Sequence, residues 1–380
     1  MTSIFEMIVN AGRRTPLVNW IPGFIKQPLI DRYLTAIDKE APEIEKRALV
    51  EGRDYRSRLA EEREIFTAQT EVNDLPPIFH YWSNKFLRPA LEQFGFSNPD
   101  QFFASYLEQS FHSADGEPVR FASIGAGNCD TEVRVAKMLV ERGISAFTLE
   151  CLDLNEAMLE RGSALAVEHG VRDQIKTTQI DFNAWHPEPR AYCAVMANQS
   201  LHHVLELEAL FDVVERGLED RGRFLASDMI GRNGHMRWPE AMRIIHEYWL
   251  EMPESYRWNL QLNRQEDLLE YWDCSKEGFE GIRAQDILPL AIEKFDCEMF
   301  LPYGNLIDPF IDRSFGPHFD PGSAIDCELI DRIHARDQSE ILAGTVKPTH
   351  MFAVFRKRPF AGKCQHPPGL SPEFCVRSVS

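Results

Sequence analysis

Three groups of residues in this chain have types and spacings that suit chemistry. They are Gly125 and Gly127 one residue apart, Asp153, and the pair His202–His203. A turn built on Gly125-Ala126-Gly127 leaves backbone bare for a ligand, and a helix starting just beyond it offers free N–H groups to an anion. A carboxylate such as Asp153 only accepts hydrogen bonds, so two adjacent hydroxyls, as on a ribose, can share it. The same acid could equally begin a turn. A neutral histidine is the side chain best suited to take a proton from a hydroxyl near pH 7. Histidines here can also serve packing, and one of the pair is expected to point inward.

Two glycines at this spacing occur in many turns, so the surrounding elements decide their meaning. Val119–Ile124 is a short apolar run, as expected of a buried strand, and it breaks at Gly125. Val133, Ala136, Met138, Leu139 and Val140 follow with helical period, with Asp130 expected as the N-cap. Gly143 ends that helix, and 147–152 reads as a second strand closed by Asp153. Further strands are expected at 175–180, 191–197, 223–228, 297–301 and 350–355. Leu207, Leu210, Phe211, Val214 and Leu218 mark a helix between two of them. Alternation of this kind predicts an α/β fold, a mostly parallel sheet with helices on both faces, and a ligand at the carboxyl ends of its strands.

Residues 119–228 resemble the core of the class I S-adenosylmethionine-dependent methyltransferases, which have a Rossmann-like fold. That family's first motif, acid-x-Gly-x-Gly-x-Gly, is read here as Ser123-Ile-Gly125-Ala-Gly127-Asn-Cys129, so Ser123 replaces the acid and Cys129 the third glycine. The acid after strand two matches Asp153, and Leu154 through Met158 follow it. The acid–apolar pair beside the adenine matches Asp181-Phe182, the strand-four motif matches Asn198–His203, and strand five ends at Asp228. The resemblance implies seven strands with the last antiparallel, and S-adenosyl-L-methionine as cofactor. It places the methionine part on Ser123, Gly125, Ala126, Gly127 and Asn128, and the ribose on Asp153 beside Leu154 and Met158. The adenine falls to Asp181 and the Phe182 N–H, with Asn198 and Gln199 at the strand-four edge. His202 and His203 are the candidate catalytic bases. A side chain at Cys129 implies a loop that is not left-handed there.

The function expected from the resemblance is methyl transfer to a small-molecule acceptor, a hydroxyl before other groups. Aminopropyl transfer on the same fold needs paired acids after strand four, where this chain has Asn-Gln-Ser-Leu-His-His. A non-catalytic S-adenosylmethionine-binding protein is the other alternative, supported by Ser123 and Cys129 in the first motif. No metal is expected, because Asp228 with His202 or His203 lacks a third ligand at a recognisable spacing. His235 and His318 are weaker candidates, since both lie in insertions.

The chain has 380 residues, 41 basic and 59 acidic, for a net charge of −18, which argues against nucleic acid as a partner. A homodimer is left open. The eight cysteines form no C-x-x-C pair, and several fall in or beside apolar strands where a free thiol acts as a small hydrophobe, which suits a reducing cytoplasm. Neither a signal peptide nor a membrane-spanning run is apparent. Residues 1–117 are expected as a helical region, with 17–34 packing on the main domain in preference to lying on a membrane, and with Tyr81-Trp82-Ser-Asn84-Lys85 as a cap over the cofactor. The catalytic domain is expected to span 118–360 and a loose tail 361–380. Within the domain, 229–296 is expected to act as an acceptor lid carrying Arg232, Arg237, Trp238 and Arg257. Its arginines could instead pair with its own acids Glu247, Glu251 and Glu254.

Overall fold

The computed structural model describes residues 75–377, apart from 115, 117, 182–184, 277 and 278. The expectations for residues 1–70, including segment 17–34, and for Phe182 lie outside the described residues.

Seven strands form one sheet: β1 (Val119–Ile124), β2 (Phe147–Asp153), β3 (Ile175–Gln179), β4 (Tyr192–Asn198), β5 (Leu218–Met229), β6 (Asp296–Tyr303) and β7 (His350–Arg356), of which the edge strand β3 is largely polar. Their order is β3-β2-β1-β4-β5-β7-β6. The first five pair in parallel, and β7 runs antiparallel to both β5 and β6. This is the seven-stranded, mostly parallel α/β sheet expected. β1, β2 and β4 are buried at nearly every position, so helices cover both faces. β5 begins earlier than expected because buried Leu218 pairs with Tyr192 across an irregularity in the ladder.

α1 (Pro99–His112) precedes the sheet, capped by the Asn98 side chain accepting from Gln101 N, and it lays Phe102 edge-on to Phe352 of β7. α2 (Asp130–Glu141), α3 (Glu156–Glu168) and α4 (Leu207–Gly217) make the crossovers β1–β2, β2–β3 and β4–β5. Phe211 of α4 meets Phe224 and Phe295 in an aromatic cluster, each ring contributing about 2–3 kcal/mol by burial. α2 starts one residue earlier than expected: Cys129 is the cap, and Asp130 lies in the first turn, where its charge suits the helix dipole.

The 229–296 insertion shares one core with the stretch between β6 and β7. Trp249 of α5 (Pro239–Trp249) packs edge-on against Phe315 and lies beside Phe310, both from the stretch that precedes α7 (Ala324–Ala343). α6 (Ala284–Lys294) then leads into β6. Tyr81 and Lys85 bond to Asp331, and Trp82 to His334, so this motif's side chains are taken up by α7. The tail expected to be loose is packed: Leu370 and Cys375 are buried, and Phe300 N donates to Gln365 O. Cys297 and Cys364 form a disulfide that fastens this segment to β6, a pairing not expected from the sequence, and the other six cysteines are free. Among the described residues, no helix is long and apolar enough to cross a membrane.

Candidate active site

The carboxyl ends of β1, β2 and β4 meet where the chain reverses direction across the sheet, between β1 and β4. Gly125 N and Ala126 N both donate to Leu152 O, at 2.9 and 3.1 Å, folding the glycine turn over the end of β2. Asp153 continues this brace. Its Oδ2 accepts from Gly127 N at 2.9 Å and its Oδ1 from Asn155 N at 2.8 Å. With a further backbone donor at Leu154, most of its roughly four acceptor positions are taken, and the remainder faces a ligand. Burial raises the Asp153 pKa against these backbone donors and the nearby charge of His203. Ile180 N donates to Asp153 O, which carries Asp181, half-buried, to the same edge.

Gly125 and Gly127 have φ of 68° and 52°, which glycine adopts without strain. Cys129 also has φ 57°, so the expectation that this position is not left-handed is wrong. Its side chain is fully buried against α3, where a Cβ on Gly162 would come within 2.6 Å of its sulfur. Bulk missing on the helix is supplied by the loop, and this packing holds the strained conformation. Ser123, expected to contact the cofactor, is buried, and its hydroxyl donates to Glu132 Oε1 at 2.6 Å. Met158 is buried under the turn, 3.1 Å from a Cβ added at Gly127. Asn128 Oδ1 accepts from Arg161 Nε, and Leu154 stands half-buried next to Asp153. Burial pushes the Glu132 carboxyl up to about 7, and its Oε2 has no partner. The acid absent from the first motif thus stands on α2 instead of β1, which spacing within the motif could not reveal.

Asp228, at the end of β5 and fully buried, builds the loop after β4. Its Oδ2 accepts from Ser200 N and Leu201 N, and its Oδ1 from Met229 N. Oδ1 also lies 2.6 Å from His202 Nδ1. Gln199 is exposed at φ 53°, the strained residue that turns the chain into this loop, and Asn198 Nδ2 donates to Thr131 Oγ1. His202 points inward and His203 is half-exposed, the division expected of the pair. Burial lowers the His202 pKa, but Asp228 and Glu280 overcome it and bring it to about 10. Burial likewise raises Glu280, and three neighbouring histidines overcome it and hold it well below the ordinary carboxylate range.

Glu280 and His235 come from the 229–296 insertion. His235 Nε2 and Glu280 Oε1 are 2.5 Å apart, and His203 Nε2 is 3.4 Å from Glu280 Oε2. Sequence reasoning missed Glu280 because nothing in its local pattern separates it from other exposed acids. His318, the other weak candidate, bonds instead to Trp258 O. The insertion's arginines are mostly internal. Arg232 is buried between the rings of Trp238 and Tyr271, and Arg257 donates to the carbonyls of Leu250 and Met252. Arg237 pairs with Asp308 at 3.1 Å. Glu247 and Glu251 pair with Arg336 and Arg332 of α7, while the acids that act on Arg257 are the insertion's own Asp267 and Glu254.

No family model matches the chain, and no curated protein matches its sequence. Among solved structures, it is similar to a geranyl diphosphate C-methyltransferase from Streptomyces coelicolor A3(2), solved with Mg2+, geranyl diphosphate and S-adenosyl-L-homocysteine. That likeness has 12% identity over 79% of this chain and 98% of the other, with TM-score 0.41. It is also similar to a candidate sarcosine dimethylglycine methyltransferase from Galdieria sulphuraria, at 15% identity over 68% of this chain and 84% of that one, TM-score 0.40. A candidate methyltransferase from Bacillus halodurans C-125 matches at 14% identity over 67% of this chain and 99% of that one, TM-score 0.36.

Proposed function

We propose that the protein is an S-adenosylmethionine-dependent methyltransferase acting on a small molecule, with a hydroxyl as the accepting group. The observation that carries this reading is Asp153, an acid closing β2 and braced by the glycine turn, with acceptor capacity remaining for ribose hydroxyls. The cofactor supplies a methyl group on a sulfonium sulfur, ready for in-line displacement. The residues present fit it: Gly125, Ala126, Gly127 and Asn128 would lie along its methionine part, Asp153 would hold its ribose, and Asp181 would face its adenine. Ser123 and Met158 act from below, supporting the turn.

His203 is the better candidate for the acceptor's proton. It is half-exposed at the edge, and Glu280 lies 3.4 Å from its Nε2 and orients the ring. His202 is a positioning residue, engaged by Asp228 on one ring nitrogen and facing Glu280 with the other. The protein is incubated with methyl-labelled S-adenosylmethionine and a metabolite extract. Formation of S-adenosylhomocysteine with label in a small molecule is the expected result. Methylthioadenosine would indicate aminopropyl transfer, and cofactor binding without turnover a non-catalytic protein. Absence of S-adenosylhomocysteine binding in calorimetry would overturn the reading entirely.

A further inference from the structure

Three segments distant in sequence are joined backbone to backbone beside Asp228. Ile282 N donates to His202 O at 3.0 Å, and Gly234 N to Gly281 O at 2.9 Å. These bonds gather the side chains of His202, His235 and Glu280, and one ligand atom from each lies within 4.8 Å of the others. His202 Nδ1 is held by Asp228 at 2.6 Å, which turns Nε2 toward Glu280 Oε1, 3.5 Å away. We propose that His202, His235 and Glu280 bind one divalent first-row transition-metal ion of the zinc type, with at least one coordination position open.

The donor set selects the ion. Two imidazoles and one carboxylate suit zinc and its neighbours, whereas magnesium and calcium take oxygen ligands almost throughout. Bonds of about 2.0–2.2 Å place tetrahedral ligand atoms roughly 3.3–3.6 Å apart, and the His202–Glu280 separation of 3.5 Å already meets this. The His235–Glu280 contact is a hydrogen bond, and it must open by about 1 Å as the ion replaces its proton. The surroundings are those of a metal site. A carboxylate on the far nitrogen of a ligating histidine fixes its tautomer and orientation, which Asp228 does for His202. His203 lies against the second oxygen of Glu280.

Backbone conformation is a separate observation. His235 has φ 55°, a left-handed conformation that few non-glycine residues adopt and histidine tolerates better than most, and Gly234 and Gly281 beside it are also left-handed. A Cβ on Gly281 would lie 3.1 Å from Gly234 N, so the two loops approach as only glycine allows. The fold therefore holds His235 in a strained state with its ring aimed at Glu280, a pattern that gathers at functional sites. The missing third ligand that argued against a metal in the sequence is supplied here by an insertion. On the methyl-transfer reading, an ion at this edge would polarise an acceptor oxygen. Metal binding itself is measured without the cofactor and does not depend on that reading.

The test uses the full chain, stripped with chelator and titrated calorimetrically with Zn2+ and, in a parallel arm, Mg2+. One Zn2+ per chain, a rise in melting temperature on its addition, and no Mg2+ binding are expected. Glu280→Gln and His235→Ala should each weaken Zn2+ binding by at least about 100-fold. His318→Ala, at a histidine bonded elsewhere, should leave it unchanged. If His235→Ala fails to fold, Glu280→Asp, which keeps the charge but shortens the reach, should still weaken binding. Absence of the single equivalent in the wild type, or equal affinity in the folded Glu280 variants, overturns the proposal.

Discussion

Replacing Glu132 by glutamine should stabilise the protein, and more so as pH rises. Glu132 is 2% exposed, accepts one hydrogen bond from Ser123, and has Oε2 buried without a partner. Burial lifts its carboxyl from the ordinary 4.5 to about 7. The native state therefore holds the proton more tightly than the unfolded chain. That contribution favours folding fully below about pH 4.5 and is lost as pH rises through 7, a change of about 3 kcal/mol. Glutamine keeps an oxygen for Ser123 but carries one more unpaired N–H than the protonated acid, which offsets about 1 kcal/mol. The variant should thus gain about 1 kcal/mol near pH 6 and about 2 kcal/mol at pH 8. Urea unfolding at the two pH values, with equal m-values, measures both gains. A gain of the same size at both pH values, or none at pH 8, would refute the assignment of a titrating carboxyl at this position.

Asp153→Ala should weaken S-adenosylhomocysteine binding roughly 30- to 1000-fold, equivalent to about 2–4 kcal/mol, by calorimetry. It should also cost about 2 kcal/mol of stability, because Gly127 N and Asn155 N lose their acceptor; unchanged affinity in the folded variant would remove the ribose assignment. Gly162→Ala should destabilise by about 2 kcal/mol, since its Cβ meets Cys129 Sγ at 2.6 Å, and adding Cys129→Gly should restore part of that in denaturant titrations, the contact with Asn128 O at 3.0 Å remaining. Cys129→Gly alone should change stability by less than about 1 kcal/mol, relief of the left-handed strain offsetting the small cavity. Arg237→Ala should lower stability by about 3 kcal/mol, because it leaves the buried Asp308 carboxylate without its cation. An unchanged melting temperature with a raised acceptor KM would return Arg237 to the acceptor site.

The inner strands β1, β2 and β4 were legible because a strand buried on both faces must be largely apolar, whereas the polar edge strand β3 was legible only from its place in the alternation. Asp153 was legible because strand, turn and helix fix the position of an acid that closes the next strand. The loop after β4 was legible only in part. His202 and His203 stand out as a pair, but their division into a buried and a half-exposed residue depends on Asp228, whose bonds to Ser200 N and Leu201 N turn the chain. Cys129 was misread because its conformation is held by space left on another helix at Gly162, a complementarity with no local trace. The Cys297–Cys364 bridge joins partners 67 residues apart, and the fold, not their spacing, brings them together.

The 229–296 insertion is better understood as a wall of the site than as a hinged lid. A lid needs a face that can separate at low cost, with few buried contacts across it. This segment is joined to the catalytic edge by backbone bonds at Gly234–Gly281 and Ile282–His202, and by Arg283, whose guanidinium bonds Leu205 O and pairs with Glu208 on α4. Its far side is fixed equally well. Trp249 sits among Phe310 and Phe315, and Trp238 lies under the guanidiniums of Arg232 and Arg377. Opening it would break buried aromatic packing and expose buried Arg232 together with these backbone bonds, so access to the edge must come from smaller movements. The partly exposed side chains of His203, His235 and Glu280 lie on the loops 201–203, 233–235 and 279–282, and on the proposed methyl-transfer reading these loops, not the helices behind them, would meet an acceptor.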